Sequence, residues 1–169
     1  EGFVYMAMNA FYQATISFTS QNFGAKKKDR INKILFAGQV YVVATGLILG
    51  SLAVFFGKEL LGIYSTSPEV IAAGMVRLQY ICKVYFLCGI MDVFVGALRG
   101  IGYSIMPMIV SLLGACGLRL LWLATVFQIP QYHTQDIIYL SYPITWVITF
   151  TVHALCYIWA RKQVDKKLV

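Results

Sequence analysis

The sequence predicts an all-α integral membrane protein whose chain crosses the bilayer five times. Apolar residues make up 59% of its 169 residues and charged residues 12%, against about half and about 25% in soluble domains. Five continuous apolar stretches each reach the roughly 20 residues that a helix needs to span hydrocarbon. They fall at about residues 2–23, 34–56, 70–98, 107–127 and 137–160. We expect them to form a single transmembrane bundle over residues 1–169.

Two short basic clusters predict how the bundle is oriented. One lies between the first two apolar stretches and the other follows the last: Lys26, Lys27, Lys28, Arg30 and Lys33, then Arg161, Lys162, Lys166 and Lys167. Lys and Arg collect in cytoplasmic loops, so we expect both clusters, and the C-terminus, on the cytoplasmic side of the plasma membrane. Nucleic-acid binding is not expected, because the basic residues do not form one face of a soluble fold.

The first apolar stretch is expected to be a true span rather than a signal peptide, because no basic segment or small-residue cleavage site accompanies it. With five spans and a cytoplasmic C-terminus, the N-terminus lies outside. We therefore expect further helices upstream of Glu1.

The third stretch carries Lys83 and Asp92 inside the predicted hydrocarbon. A charge there costs about 2.5–3.5 kcal/mol even on lenient insertion scales, and such residues usually line a cavity or pathway. The alternative is structural. Lys83 would then extend its amine toward the headgroups, and Asp92 would pair with Arg99, which lies seven residues later on the same helix face.

Polar residues in the other stretches are further candidates for a cavity lining. Asn9 and Gln13 are four residues apart and share a face of the first helix, while Gln39 and Arg119 lie in the second and fourth stretches. Buried amides and cations must find partners, so each of these residues either lines a wet cavity or joins two helices. His153 is interpreted as a hydrogen-bonded core residue rather than a titrating site.

No chemistry requiring a metal or covalent catalysis is predicted. The four cysteines lie within apolar stretches without the spacing of zinc ligands. We find no enzyme signature such as a P-loop, a nucleophile elbow or HExxH. The pairs Gly46-x-x-x-Gly50 and Gly96-x-x-x-Gly100 predict close contacts between helices.

Two motifs resemble the multidrug and toxic compound extrusion (MATE) transporters. The first, Ser20-Gln21-Asn22-Phe23-Gly24-Ala25 before a basic loop, resembles the end of their eighth helix. The second, Leu98-Arg99-Gly100-Ile101-Gly102 before Pro107, is similar to the turn between their tenth and eleventh helices. In this comparison the motif residues that shape the cytoplasmic turns are Gln21, Asn22, Gly24, Ala25, Arg99, Gly100 and Gly102.

The resemblance implies both architecture and function. The five spans would be helices eight to twelve of a twelve-helix transporter, forming most of its C-terminal lobe, with the N-terminal lobe as the missing partner. Members export small organic, often cationic, compounds from a cavity between the lobes by alternating access, in exchange for Na⁺ or H⁺ and without a cofactor. Some use an acidic residue of the tenth helix in cation coupling, and Asp92 is the one acid in the corresponding span.

Two other functions remain open from the sequence. A lipid-linked oligosaccharide flippase of the same superfamily would use cationic residues such as Lys83 and Arg119 to hold phosphate. A membrane-embedded enzyme using His153 would need a second catalytic polar residue on the same helix face, and the sequence shows none.

The charge pattern makes the topology testable. Cysteines placed at Lys27 and Lys166 are expected to react with a membrane-impermeant thiol reagent in inverted vesicles and not in intact cells. Labelling of either position from outside intact cells would contradict the predicted orientation.

Overall fold

The computed structural model describes residues 1–167, which form a helical bundle without β-strands. The helices are α1 (Gly2–Gly24), α2 (Lys28–Phe55), α3 (Gly57–Gly62), α4 (Pro68–Ile81), α5 (Phe86–Gly100), α6 (Ile105–Ser111), α7 (Leu118–Ala124) and α8 (Gln135–Lys167). The all-α membrane fold predicted from the sequence is confirmed.

Within this part of the chain, three helical runs are long and apolar enough to cross a membrane: α2, the run Ile105–Gln128 that contains α6 and α7, and α8. The bent pair α4 and α5 makes a fourth if it counts as one span. Helix α1 is 23 residues long but is not in this set, since its Asn, Gln, Ser and Thr residues lower its mean hydropathy. A fifth span formed by α1 stays a prediction.

The third predicted span differs most from expectation, because it is broken. A 3₁₀ segment, Cys82–Val84, separates α4 from α5, and the two parts of the span meet at 45°. At the break the Tyr85 amide donates a long 3.4 Å bond to the Cys82 carbonyl, three residues back. A switch from i→i+4 to i→i+3 bonding tightens a helix locally and bends it.

The last two predicted spans lie close to their expected positions. The fourth is helical from Ile105 to Gln128, with a π-helical segment at Leu112–Gly117 between α6 and α7. Helix α8 continues through Pro143 without a break. Pro130 follows the fourth span and begins a short 3₁₀ turn before α8.

Helix α5 lies at the centre of the bundle and packs against α1, α2 and α8. Nine of its 15 residues are buried. Val93 packs with Met8 of α1 and Val42 of α2, and Leu98 packs with Tyr157 of α8. The position of α5 therefore depends on three neighbours at once.

Glycines allow this close packing, as the two Gly-x-x-x-Gly pairs predicted. A Cβ at Gly96 would lie 2.9 Å from the Tyr12 carbonyl oxygen, and one at Gly50 would overlap the Cys82 carbonyl oxygen. Backbones approach at these positions because no side chain intervenes. The contact at Gly50 fixes α2 against the break in the third span.

Both basic clusters lie at one end of the bundle, which we call the basic end. There, Lys28 at the start of α2 and Asp165 near the end of α8 are joined by a 3.2 Å hydrogen bond from the lysine amine to the Asp165 backbone carbonyl. At the opposite end, Arg77 of α4 and Glu1 form an ion pair at 2.6 Å. The side of the membrane that each end faces stays a prediction.

The Gly50 contact generates a stability prediction. We expect Gly50→Ala to destabilise the protein by about 1–3 kcal/mol, because a methyl group there has no room beside a backbone carbonyl. The measurement is the thermal unfolding of the purified full-length protein in detergent. Gly62→Ala is the control, since a Cβ at Gly62 would meet no atom within 4 Å, and an equal loss in both variants would contradict the packing argument.

Candidate functional site

The candidate site is built on one face of α5, which we call the Asp92 face. It is defined by Tyr85, which immediately precedes the helix, and by Asp92 and Arg99 within it. The three residues are spaced seven apart, so they lie above one another. Tyr85 contacts α1 and α8 at the same time, with its ring 6.4 Å from Tyr5 and 5.4 Å from Trp146. The Asp92 face is therefore directed between α1 and α8.

Helix α1 forms the facing wall. Tyr5, Asn9 and Tyr12 follow one another at helical spacing on a single face. Tyr5 meets Tyr85, and the Tyr12 hydroxyl accepts a hydrogen bond from Arg99. Asn9 lies between Tyr5 and Tyr12 on this helix. Because these two residues contact the two ends of the Asp92 face, Asn9 lies at the level of Asp92.

Asp92 is half-buried and unpaired. Across residues 1–166 it makes no hydrogen bond and no ion pair. Arg99 is within electrostatic reach of it, but the guanidinium is directed at Tyr12, where it also lies 5.8 Å from the ring centroid. In this structure Asp92 and Arg99 therefore form no direct ion pair.

Asn9 is also half-buried, and its side-chain amide makes no hydrogen bond within the same residues. A carboxylate and an amide thus lie at one level on facing helices with free oxygen atoms. Oxygen atoms of this kind bind hard cations or protons. Gln13, one turn further along α1, is exposed and contributes nothing to this pair.

Gln39 lies elsewhere and joins helices. Its amide nitrogen donates to the Ile90 backbone carbonyl at 3.2 Å, so it holds α2 against α5. Its oxygen is buried without a partner among the described residues. The structure therefore places Gln39 behind α5 rather than on the Asp92 face.

Neither Lys83 nor Arg119 forms an ion pair with Asp92 among residues 1–166. Lys83 is exposed in the 3₁₀ break between α4 and α5. Arg119 lies flat against α8, with its guanidinium carbon 3.7 Å from the Tyr142 ring centroid and one nitrogen donating to Thr145 at 3.2 Å. Within residues 1–166 it has no carboxylate partner.

An aromatic series connects Arg119 with the Asp92 face. Tyr142 meets Trp146 at 5.7 Å, and Trp146 meets Tyr85 at 5.4 Å. Aromatic faces attract cations by their quadrupole. The sequence did not indicate this series, because the contact between Trp146 of α8 and Tyr85, just before α5, joins helices that are far apart in the chain.

His153 is fully buried, and one ring nitrogen lies 3.0 Å from the Ser111 hydroxyl of α6. Its interpretation as a hydrogen-bonded core residue is confirmed. Ser111 was overlooked because it lies on another helix. The pair lacks the third group that orients a catalytic histidine, since Nδ1 has no partner in the described part of the chain.

The turn motifs shape two chain reversals at the basic end. After α5, Tyr103 N–H donates to the Leu98 carbonyl and Gly102 N–H to the Arg99 carbonyl, with Gly102 at φ +95°. This is a Schellman motif, which favours glycine at that position. Gly100 remains helical and packs against Thr19 of α1.

The turn after α1 repeats this bonding with a different residue at the left-handed position. Lys27 N–H donates to the Asn22 carbonyl and Lys26 N–H to the Phe23 carbonyl, with Lys26 at φ +55°. Gly24 is still helical, and Ala25 N–H donates to the Gln21 carbonyl. Gly24 is thus the last residue of α1, and the left-handed residue that reverses the chain is Lys26, two residues later.

No cluster of three or more potential metal ligands occurs among the described residues.

Comparison with known proteins identifies the architecture. The MatE family model matches residues 1–125. The crystal structure of the Vibrio cholerae MATE transporter VcmN in the bent form superimposes with a TM-score of 0.82 at 18% identity, covering 96% of this chain and 36% of that chain. The chain thus spans about a third of that transporter's length. No curated protein sequence matches it.

The family match covers most of the chain, and the structural match shows the same fold. The motifs at the ends of α1 and α5 fall within the matched region. The chain belongs to the MatE family of membrane transporters, which are not enzymes.

Proposed function

We propose that this chain forms most of the C-terminal lobe of a cation-coupled antiporter that exports small organic, often cationic, compounds in exchange for Na⁺ or H⁺. The observation that carries the proposal is the unpaired carboxylate of Asp92, held on the central helix opposite α1. The N-terminal lobe of the same protein would complete the cavity and supply the movement for alternating access.

An unpaired carboxylate inside a membrane bundle is costly unless it binds something. A proton or Na⁺ neutralises it, and an organic cation does the same. Two cations that compete for one carboxylate cannot both be bound, which is the condition for exchange. Tyr5, Tyr85 and Trp146 offer aromatic faces to the organic cation.

The exposed face of α1 supports a cavity beside this site. Gln13, Ser17, Ser20 and Gln21 are all exposed in the isolated chain. Polar side chains of this kind are disfavoured against lipid tails and suited to water or another protein surface. The other helices expose large apolar side chains, including Phe36, Leu113, Leu120 and Leu155, and α1 also exposes Phe3, Met6 and Phe18. We infer that the polar face of α1 is directed toward the cavity and the other lobe.

The proposal predicts the effect of removing the titratable group. Asp92→Asn is expected to lower coupled efflux per folded molecule at least about tenfold, because the amide keeps the shape but binds neither a proton nor Na⁺ strongly. Efflux is measured in proteoliposomes of the full-length protein, with pH and Na⁺ varied separately. If efflux by the variant no longer responds to pH, the coupling ion is H⁺. If efflux no longer responds to Na⁺, the coupling ion is Na⁺.

Asp136→Asn serves as the matched control, since Asp136 is exposed at the start of α8. It is expected to leave both efflux and ion dependence unchanged. Unchanged transport with unchanged ion dependence in Asp92→Asn would remove this residue from the mechanism.

One observation favours a second function, the transport of a lipid-linked phosphate compound. Arg119 is a cation within a membrane helix without a carboxylate partner in the described residues, and a phosphate could neutralise it. Its contacts with Tyr142 and Thr145 instead hold the guanidinium against α8. We therefore favour a packing role.

The two functions differ in what Arg119→Gln does. If the protein exports organic cations, the variant is expected to transport within about twofold of the parent per folded molecule, with a loss of stability of about 1–2 kcal/mol from the stacked cation. The measurements are efflux of an organic cation and thermal unfolding. A variant that folds normally and loses all transport would favour the phosphate-binding function.

A further inference from the structure

The two basic clusters, more than 120 residues apart in the chain, meet in space at the basic end. Arg161 of α8 donates to the Asn32 side-chain oxygen and to the Lys28 carbonyl, both at 3.3 Å. Tyr157 donates to the same Asn32 oxygen at 2.8 Å. Together with the bond from Lys28 to the Asp165 carbonyl, these contacts fix the end of α8 against the start of α2.

The basic residues that join α8 to α2 are not the ones whose charges are exposed. Arg161 is buried and paired with Asp165 at 3.0 Å, and Lys28 is half-buried. Among residues 26–33 and 161–166, the remaining six basic side chains are exposed, and we call them the basic patch: Lys26, Lys27, Arg30, Lys33, Lys162 and Lys166. Asp29 is the one exposed acid within residues 26–33 and 161–166.

Aromatic side chains mark where the patch lies relative to the bilayer. Trp159 is half exposed and meets Tyr103 at 5.7 Å with the rings nearly perpendicular. Trp and Tyr concentrate at the level of the lipid headgroups. Lys162 and Lys166 follow Trp159 by about one and two turns of α8, which puts their amines at or just beyond the phosphate layer.

We propose that the basic patch is a binding site for the headgroups of anionic phospholipids, assembled from the α1–α2 loop and the end of α8. The site includes cations from both clusters, because the contacts of Arg161 and Lys28 bring the two segments together. Basic surfaces at the ends of membrane helices attract anionic headgroups, and long amines adjust to the phosphate position. Bound lipid would then connect α2 to α8 around the central helix.

The test uses the full-length protein in nanodiscs of phosphatidylcholine with a trace of spin-labelled phosphatidylglycerol or spin-labelled phosphatidylcholine. Electron spin resonance gives the relative association of the two lipids with the protein. We expect a preference for phosphatidylglycerol that weakens with salt. Removal of one charge, as in Lys162→Gln or Arg30→Gln, should lower the preference for phosphatidylglycerol by up to about fivefold.

The variant Arg30→Gln/Lys33→Gln/Lys162→Gln/Lys166→Gln is expected to show no preference between the two lipids. Lys58→Gln, an exposed lysine at the opposite end, is the matched control for Lys162→Gln and should keep the parent's preference. An equal loss of preference with Lys58→Gln would overturn the site, because the preference would then depend on the net charge of the protein and not on these residues. A preference retained in the fourfold variant would overturn it as well.

A third arm separates a lipid from a free anion. Inorganic phosphate is added in excess, with an equal ionic strength of chloride as reference. Labelled phosphatidylglycerol should be displaced no more by phosphate than by chloride. Specific displacement by phosphate would show a site for the free ion and contradict the lipid proposal.

Discussion

The close contact of α5 with α1 and α2 through glycine is the interaction on which the rest of the structure depends. Lipid tails are as apolar as the helices, so burial from water does not hold such a bundle together, and van der Waals contact between closely approaching helices must do so. Gly96 and Gly100 let α5 lie on α1, while Gly46 and Gly50 let α2 lie on the third span at Phe86 and Cys82. A methyl group added at Gly50 or Gly96 would meet a backbone carbonyl oxygen of the neighbouring helical segment, so it would push backbones apart.

This packing also determines which way Asp92 points. Because Val93 packs between α1 and α2 and Leu98 packs toward α8, the remaining face of α5 is directed between α1 and α8. Asp92 lies on that face with Tyr85 and Arg99 at its two ends. The helix cannot rotate to hide the carboxylate without breaking three contacts. An unpaired charge is therefore maintained at a defined position.

The features that the sequence predicted well are those that depend on neighbouring residues in the chain. Apolar length placed the spans, and the Leu98–Gly102 motif placed the turn after α5, because its glycine provides the left-handed residue. The break at Cys82–Val84 was missed, since neither glycine nor proline marks it and the residue packed against it, Gly50, lies over thirty residues earlier in the chain.

The hydrogen-bond partners of polar side chains could not be predicted from the sequence for the same reason. Spacing alone put Arg99 on the same face as Asp92, but it could not show that Tyr12 on another helix competes for the guanidinium. Likewise, His153 had no visible partner on α8, while Ser111 approaches it from α6. Helical periodicity identifies the face on which a residue lies, and tertiary packing decides what that face meets.

A site held in place by helix packing limits how ion binding can be coupled to a conformational change. A ligand shifts a conformational equilibrium only by the difference between its affinities for the two states. If α1, α2, α5 and α8 move as one packed unit, the distance between Asn9 and Asp92 changes little, and the two states must differ in what lies across the cavity. Water access and the residues of the other lobe would then set the affinity for the ion. On the proposed function, the C-terminal lobe thus contributes a fixed carboxylate, and the change in affinity that exchange requires comes from the moving partner.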